Sequence, residues 1–181
     1  MKLINQTVNW VADQTGIRVI GDSLPHPREP SVQTLRIPGY VQLQPHTCGY
    51  VAGLMILHYF RPDYPAERFY QLIRPHQRWG VSRSRLVDTL RLCGLHSTWH
   101  RDLDFGKITK AIDQNRPIAM VVRTQTAKHW VVVYGYGRKP NRLFVAANGL
   151  PLLSRKLYPY SFFRTHSWAE SGSGLVCAGP K

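Results

Sequence analysis

Four residues of this chain have types and spacings from which covalent chemistry can be built: Gln42, Cys48, His129 and Asn148. The run Gln42-Leu43-Gln44-Pro45-His46-Thr47-Cys48-Gly49-Tyr50-Val51 sets a cysteine at the mouth of an apolar helix, behind a loop that carries glutamine. The first turn of a helix has unpaired N–H groups and the positive end of the helix dipole, and both favour thiolate over thiol. Cys48 is therefore the candidate nucleophile, and Gly49 keeps the approach to its sulfur open. Val51, Leu54, Met55 and Tyr59 recur at helical spacing, which predicts a buried face, a functional N-terminus and an end before Pro62.

A nucleophilic thiol needs a base on a rigid support. The segment Lys128-His129-Trp130-Val131-Val132-Val133-Tyr134-Gly135-Tyr136-Gly137 provides one, because three valines among aromatics read as a buried strand that His129 opens. A turn containing Gly137, Pro140 and Asn141 leads into a second strand, Arg142 to Ala147, which ends at Asn148-Gly149. That hairpin returns Asn148 toward His129. A carboxamide oxygen accepting from one imidazole nitrogen fixes the ring's tautomer and leaves the other nitrogen for the sulfur. Asn148-Gly149 is equally an ordinary turn dipeptide.

These residues and motifs resemble the papain-like cysteine peptidases, most closely the C39-like group, whose best-known members trim leader peptides from bacteriocins. The resemblance rests on Gln42 six residues before Cys48, on Cys48-Gly49 with its small and apolar helix, and on His129 with a valine-rich strand and a polar residue after the next one. It covers roughly residues 38 to 151. It implies an α+β fold in which a helical lobe packs against an antiparallel sheet, with the active site in the cleft between them. It implies Cys48 as nucleophile, His129 as general base and acid, Asn148 as orienting residue and Gln42 as the side-chain donor of the oxyanion hole. Gln44 competes for that last role, and the family spacing favours Gln42. The implied activity is a cysteine endopeptidase that works through a thioester, needs no cofactor and cuts a protein substrate after small residues such as Gly-Gly. One position departs from the group: Asn148-Gly149 stands where Asp-Pro is usual, with Asn as in papain itself.

The remaining cysteines and histidines have simpler readings. Cys93 and Cys177 lie in apolar runs and read as core. His58 is ten residues along the helix from Cys48, about 15 Å at 1.5 Å per residue, and cannot reach the sulfur. His46 sits in the approach loop and suits a substrate subsite. No histidine pair has zinc spacing and there is no C-x-x-C, so no metal is expected.

With 181 residues, 43% of them hydrophobic, the chain fits one domain with a single core. We expect a helix and extended segment over 1–37, a catalytic core over 38–151 and a strand extension over 152–181. Residues 3–14 read as helix and 17–39 as an extended segment rich in proline. Further helices are expected at 65–73, 82–93 and 105–114, and strands at 97–100, 117–123, 130–136, 143–147, 152–157 and 173–178. No stretch approaches the ~18 apolar residues of a membrane span, residues 1–20 lack a signal-peptide core, and three scattered cysteines suit a reducing, cytoplasmic compartment.

The charge is the remaining signal. Lys and Arg number 24 against 10 Asp and Glu, a formal charge of +14. Arg78, Arg83, Arg85 and Arg91 fall with Trp79 and Trp99 between the two catalytic segments, and predict a docking face for an acidic or nucleic-acid-associated protein. A basic face that only aids solubility is the plainer reading. A small protease without a membrane segment further suggests an antibacterial toxin or effector delivered by a specialised secretion system and restrained by an acidic immunity or inhibitor protein. A basic binding module, and an acyltransferase or amidase on the same scaffold, stay open as alternatives.

Overall fold

The computed structural model describes residues 17–19, 31–42, 44–123, 127–146, 155–170 and 172–180. The expected helix over 3–14 and the position Asn148 lie outside these residues. Helix α1, Cys48–Phe60, is buried along its whole first three turns, from Cys48 to Leu57. This is more than the single apolar face read from its spacing. The reason is that α1 is the hub: small residues Gly49, Ala52 and Gly53 let neighbours close on it from several sides. A Cβ on Gly53 would come within 2.8 Å of both Phe69 and Leu86, which belong to α2, Ala66–Ile73, and α3, Arg83–Leu92. Tyr50 stacks on Phe69 with ring centroids 5.6 Å apart. The helix stops at Phe60 before Pro62, and the Arg61 N–H closes it on the Leu57 carbonyl at 2.7 Å.

Capping residues set two of the other helix starts as the sequence predicts. The Ser82 hydroxyl accepts from Arg85 N–H at 3.3 Å ahead of α3, and Asp104 accepts from Lys107 N–H at 2.8 Å ahead of α4, Phe105–Asp113. In α3, Leu86, Val87 and Leu90 face inward.

Opposite the helices lies a seven-stranded sheet in which every neighbouring pair is antiparallel. Its strands are β2 (Val32–Thr34), β4 (His96–His100), β5 (Ile118–Arg123), β6 (Lys128–Arg138), β7 (Asn141–Ala146), β8 (Arg155–Pro159) and β9 (Gly174–Ala178). The order is β4-β9-β5-β6-β7-β8, with β2 paired to the far half of β6. β6 is the spine, buried from Trp130 to Gly137, as its valine and aromatic run requires. Two short strands, β1 (Ile17–Val19) and β3 (Tyr40–Gln42), make a separate antiparallel pair. The expected C-terminal strand is present and lies inside the sheet between β4 and β5. The β1, β2 and β3 pairings and the turn Tyr160–Ser167 are structure that sequence reading did not anticipate.

Candidate active site

Cys48 is the first residue of α1, reached from β3 through a bend at Gln44 and a 3-10 turn, Pro45–Thr47. Thr47 precedes the helix, but its hydroxyl donates to the Gln44 carbonyl at 2.9 Å and caps nothing. No acidic residue stands in the first turn. The helix start thus keeps its N–H groups and its positive end for whatever occupies the space around the sulfur.

Gln42 ends β3 and folds its side chain over that bend. Its Nε2 donates to the carbonyls of Gln44 at 2.5 Å and Pro45 at 2.9 Å, while Oε1 is buried without a hydrogen-bond partner among the described residues. Gln44 contributes its carbonyl, which also accepts the Thr47 N–H at 3.1 Å. Gln42, not Gln44, is therefore the glutamine whose carboxamide is folded onto the turn that delivers Cys48.

β6 arrives from the opposite side. The backbone N–H of Trp130 faces the Cys48 sulfur together with those of Gly49 and Cys48 itself. The Trp130 indole lies on Gly49: a Cβ there would sit 2.9 Å from the indole Cδ1 and 2.6 Å from the Val81 Cβ. Indole Nε1 donates to the Val81 carbonyl at 2.9 Å. Glycine is needed at position 49 because strand, loop and helix meet there with no room for a side chain. His129 immediately precedes Trp130, is half-buried, and pairs with Val122 of β5. The start of β6 and the start of α1 are thereby brought together at the thiol. β7 runs back along β6 to Ala146, opposite Val132, three positions from His129.

Cys48 is 8% exposed. Burial pushes its thiol up, the three N–H groups pull it down, and burial prevails. The helix end pulls the thiol down as the sequence suggests, but desolvation, which a linear sequence does not display, is the larger influence. Cys177 is fully enclosed and pushed well above the ordinary thiol range, with burial the single cause. Burial also raises Cys93.

The four arginines expected to form one docking face have different partners. Arg83 pairs with Glu170 at 3.8 Å and stacks on Trp99 at 4.9 Å. Arg91 gives two N–H bonds to the Ser97 carbonyl, at 3.0 and 2.9 Å, and approaches Asp88. Arg78 and Arg85 line a different groove, with Arg74 and Trp79. Sequence reading missed Trp130 and Val81 as walls of the site. A Gly directly after the cysteine and a Trp directly after the histidine are complementary in size, and that was the available signal. It also missed Glu170, which reaches Lys128, the neighbour of His129, at 3.9 Å. No group of three His, Cys, Asp or Glu able to hold a metal ion occurs among the described residues, and none of their helices is long and apolar enough to cross a membrane.

Residues 36–157 match the model of the Peptidase C39 family. The chain resembles a double glycine motif protease from an AMS/PCAT transporter, solved in complex with its leader peptide, at 18% identity and a TM-score of 0.62, over 80% of this chain and 93% of that one. It resembles the peptidase domain of Streptococcus ComA, a bifunctional ABC transporter involved in quorum sensing, at 17% identity and a TM-score of 0.59, over 78% and 96%. A C39-like peptidase from Bacillus anthracis gives 11% identity and a TM-score of 0.59, over 91% and 98%. No curated protein sequence matches the chain.

Proposed function

Since the chain belongs to the peptidase C39 family and is a cysteine peptidase, we propose that it cuts a polypeptide through Cys48, His129, Asn148 and Gln42. The observation that carries the assignment is the meeting of β6 and α1 at the thiol, with the N–H of Trp130 on the Cys48 sulfur. With the thiol pushed up by burial, His129 takes the sulfur's proton as the sulfur attacks the carbonyl carbon. The tetrahedral oxyanion is met by the Cys48 N–H and, once its Nε2 turns from the Gln44 and Pro45 carbonyls, by Gln42. The imidazolium then protonates the leaving amine, the C–N bond breaks, and a thioester remains. Water, deprotonated by His129, releases the acid and restores the thiol. Asn148 accepts from His129 and holds its tautomer.

We assign cleavage after small residues, with Gly-Gly as the first sequence to try. The approach to a sulfur that is 8% exposed beneath Trp130 admits bare main chain more readily than side chains. The double glycine motif protease of similar fold gives the same direction. As a wider role we propose an antibacterial effector held in check by an acidic immunity protein. What supports it is the charge of +14, and it predicts a growth defect on cytoplasmic expression that Cys48→Ala abolishes.

The direct test is incubation with peptides that contain or lack Gly-Gly, with products read by mass spectrometry. Cleavage by the parent protein and none by Cys48→Ala or His129→Ala is the expected result. Equal cleavage by parent and Cys48→Ala sinks the assignment.

A further inference from the structure

Between α2 and α3 the chain makes a tight loop that the peptidase site does not use. Arg74 ends α2 in the left-handed region, φ 43, and donates its side-chain Nε to the Gln71 carbonyl at 3.0 Å. His76 and Gly80 then exchange two backbone bonds, of 2.9 and 2.7 Å. Inside this ring the His76 Nδ1 accepts the N–H groups of Arg78 at 3.1 Å and Trp79 at 3.2 Å. Gly80 has φ 68, and a Cβ on it would lie 3.0 Å from the His46 carbonyl oxygen, so its bareness serves both the turn and the contact. The loop is built to hold one shape, and what it displays is Trp79, 73% exposed, with the Arg78 guanidinium over its ring at 4.7 Å.

The loop lines a groove of about 670 Å³ that carries Arg74, Arg78 and Arg85 and no acidic residue. Among the described residues none of the three makes an ion pair, unlike Arg83 and Arg91 nearby. A largely exposed indole and three guanidiniums that no carboxylate among the described residues neutralises, on a rigid support, describe a surface awaiting a ligand that is both acidic and apolar. The groove is also fixed to the catalytic centre. Gly80 rests on His46, two residues before Cys48, and the next residue, Val81, touches Gly49 and accepts the Trp130 indole N–H. A chain lying in the groove is therefore within a few residues of the sulfur.

We propose that the groove of Arg74, Arg78, Trp79 and Arg85 is an exosite for an acidic segment of the polypeptide substrate, flanking the bond that is cut. Carboxylates of that segment meet the three guanidiniums, and one of its apolar side chains covers Trp79. Its part in cleavage rests on the peptidase reading, whereas binding itself does not require catalysis. A polypeptide is favoured over nucleic acid because the groove opens beside a peptidase nucleophile and offers one aromatic ring, not a row of them for successive bases.

The test begins with Cys48→Ala protein and a fluorescein-labelled 12-residue peptide of Glu, Asp and Leu, followed by anisotropy. Its Gln, Asn and Leu counterpart and a single-stranded DNA of equal charge are the comparison probes. The acidic peptide should bind. Arg78→Glu with Arg85→Glu should weaken it about tenfold or more, since two exposed attractions become repulsions, and Trp79→Ala should weaken it by roughly tenfold as loss of the central anchor. In active protein, the same variants should lower kcat/KM for a substrate that joins the acidic peptide to the cleavage sequence, and leave a short neutral peptide unchanged. Absence of binding by the acidic peptide, binding indifferent to the variants, or tighter binding of the DNA overturns the exosite. Binding as expected in a protein that cleaves nothing leaves the exosite standing and removes the peptidase reading alone.

Discussion

At its C-terminal end α1 carries His58, and there every ring nitrogen is answered: Nδ1 accepts the Tyr40 hydroxyl, and Nε2 donates to the Tyr64 carbonyl at 2.8 Å. At its N-terminal end α1 carries Cys48, and there the Thr47 side chain does not cap the helix, no acidic residue stands in the first turn, and backbone N–H groups converge on the sulfur. Cys48 is buried and His58 half-buried, and both have their charged forms opposed by burial. The difference lies in what surrounds them. Fixed side-chain and carbonyl partners make His58 a tie between β3, α1 and the following loop. Around Cys48, donors directed at a site where negative charge develops favour reaction over structure. On the proposed reading, one helix thus separates a structural imidazole from a reactive thiol.

The largest expected effect breaks this contrast at the reactive end. Cys48→Ala, or His129→Ala, should lower kcat by roughly 10⁶, because members of a catalytic unit are lost together and not in shares. Circular dichroism should show the fold retained. His58→Ala should do the reverse, leaving kcat within a few-fold while unfolding becomes easier by about 1–3 kcal/mol as the Tyr40 hydroxyl and Tyr64 carbonyl lose their partner. If His58→Ala silences the enzyme without changing its urea midpoint, the two ends have been misassigned.

Gln42→Ala comes next. Loss of one oxyanion donor costs about 10²–10³ in kcat, or roughly 2.7–4 kcal/mol. Alkylation of Cys48 by iodoacetamide builds no oxyanion, so its rate should hold. A matching loss in alkylation would mean that Gln42 shapes the bend at residues 44–45 and not the transition state. Smaller again is Gly49→Ala. Its methyl group would need space now filled by Val81 and Trp130, and overpacking of this kind costs about 1–3 kcal/mol. Because the displaced group is the residue that places an N–H on the sulfur, activity should fall along with stability. Full activity in a destabilised Gly49→Ala protein would detach Trp130 from the chemistry.

Much of this was legible in the sequence, for reasons that differ by residue. The α3 and α4 starts were readable because a serine or aspartate cap is a local device. β6 was readable because burial of a whole strand leaves an unbroken apolar run. Cys48 and His129 could be singled out by the elements they open. The upward push on the Cys48 thiol was not readable, since it depends on burial by residues far along the chain, with Val81 and Trp130 closing over the helix start. The division of the arginines was hidden for the same reason: Arg83 finds Glu170, and Arg91 finds the Ser97 carbonyl, only once α3 packs against the sheet. The short β1, β2 and β3 pairings rest on backbone bonds to distant strands and have no periodicity to announce them.

The smallest effect sharpens the comparison at the structural end through pH. Burial lowers His58 below its ordinary value of 6.5, against smaller upward pulls from the Tyr64 carbonyl and Asp63. The folded protein therefore keeps His58 neutral, with Nδ1 free to accept from Tyr40, while the unfolded chain takes up a proton near pH 6.5. Below that pH the unfolded state binds more protons than the folded one, so stability falls as acid is added, by up to about 1.4 kcal/mol per pH unit from this group, until the folded-state value is reached. Above pH 6.5 the contribution is fully present and flat. His58→Gln, which cannot titrate, should be less stable than the parent at pH 7 yet lose less between pH 7 and pH 5, measured as urea midpoints. If parent and variant lose stability in parallel over that range, the acid sensitivity belongs to other groups, and His58 is held by its hydrogen bonds in either charge state.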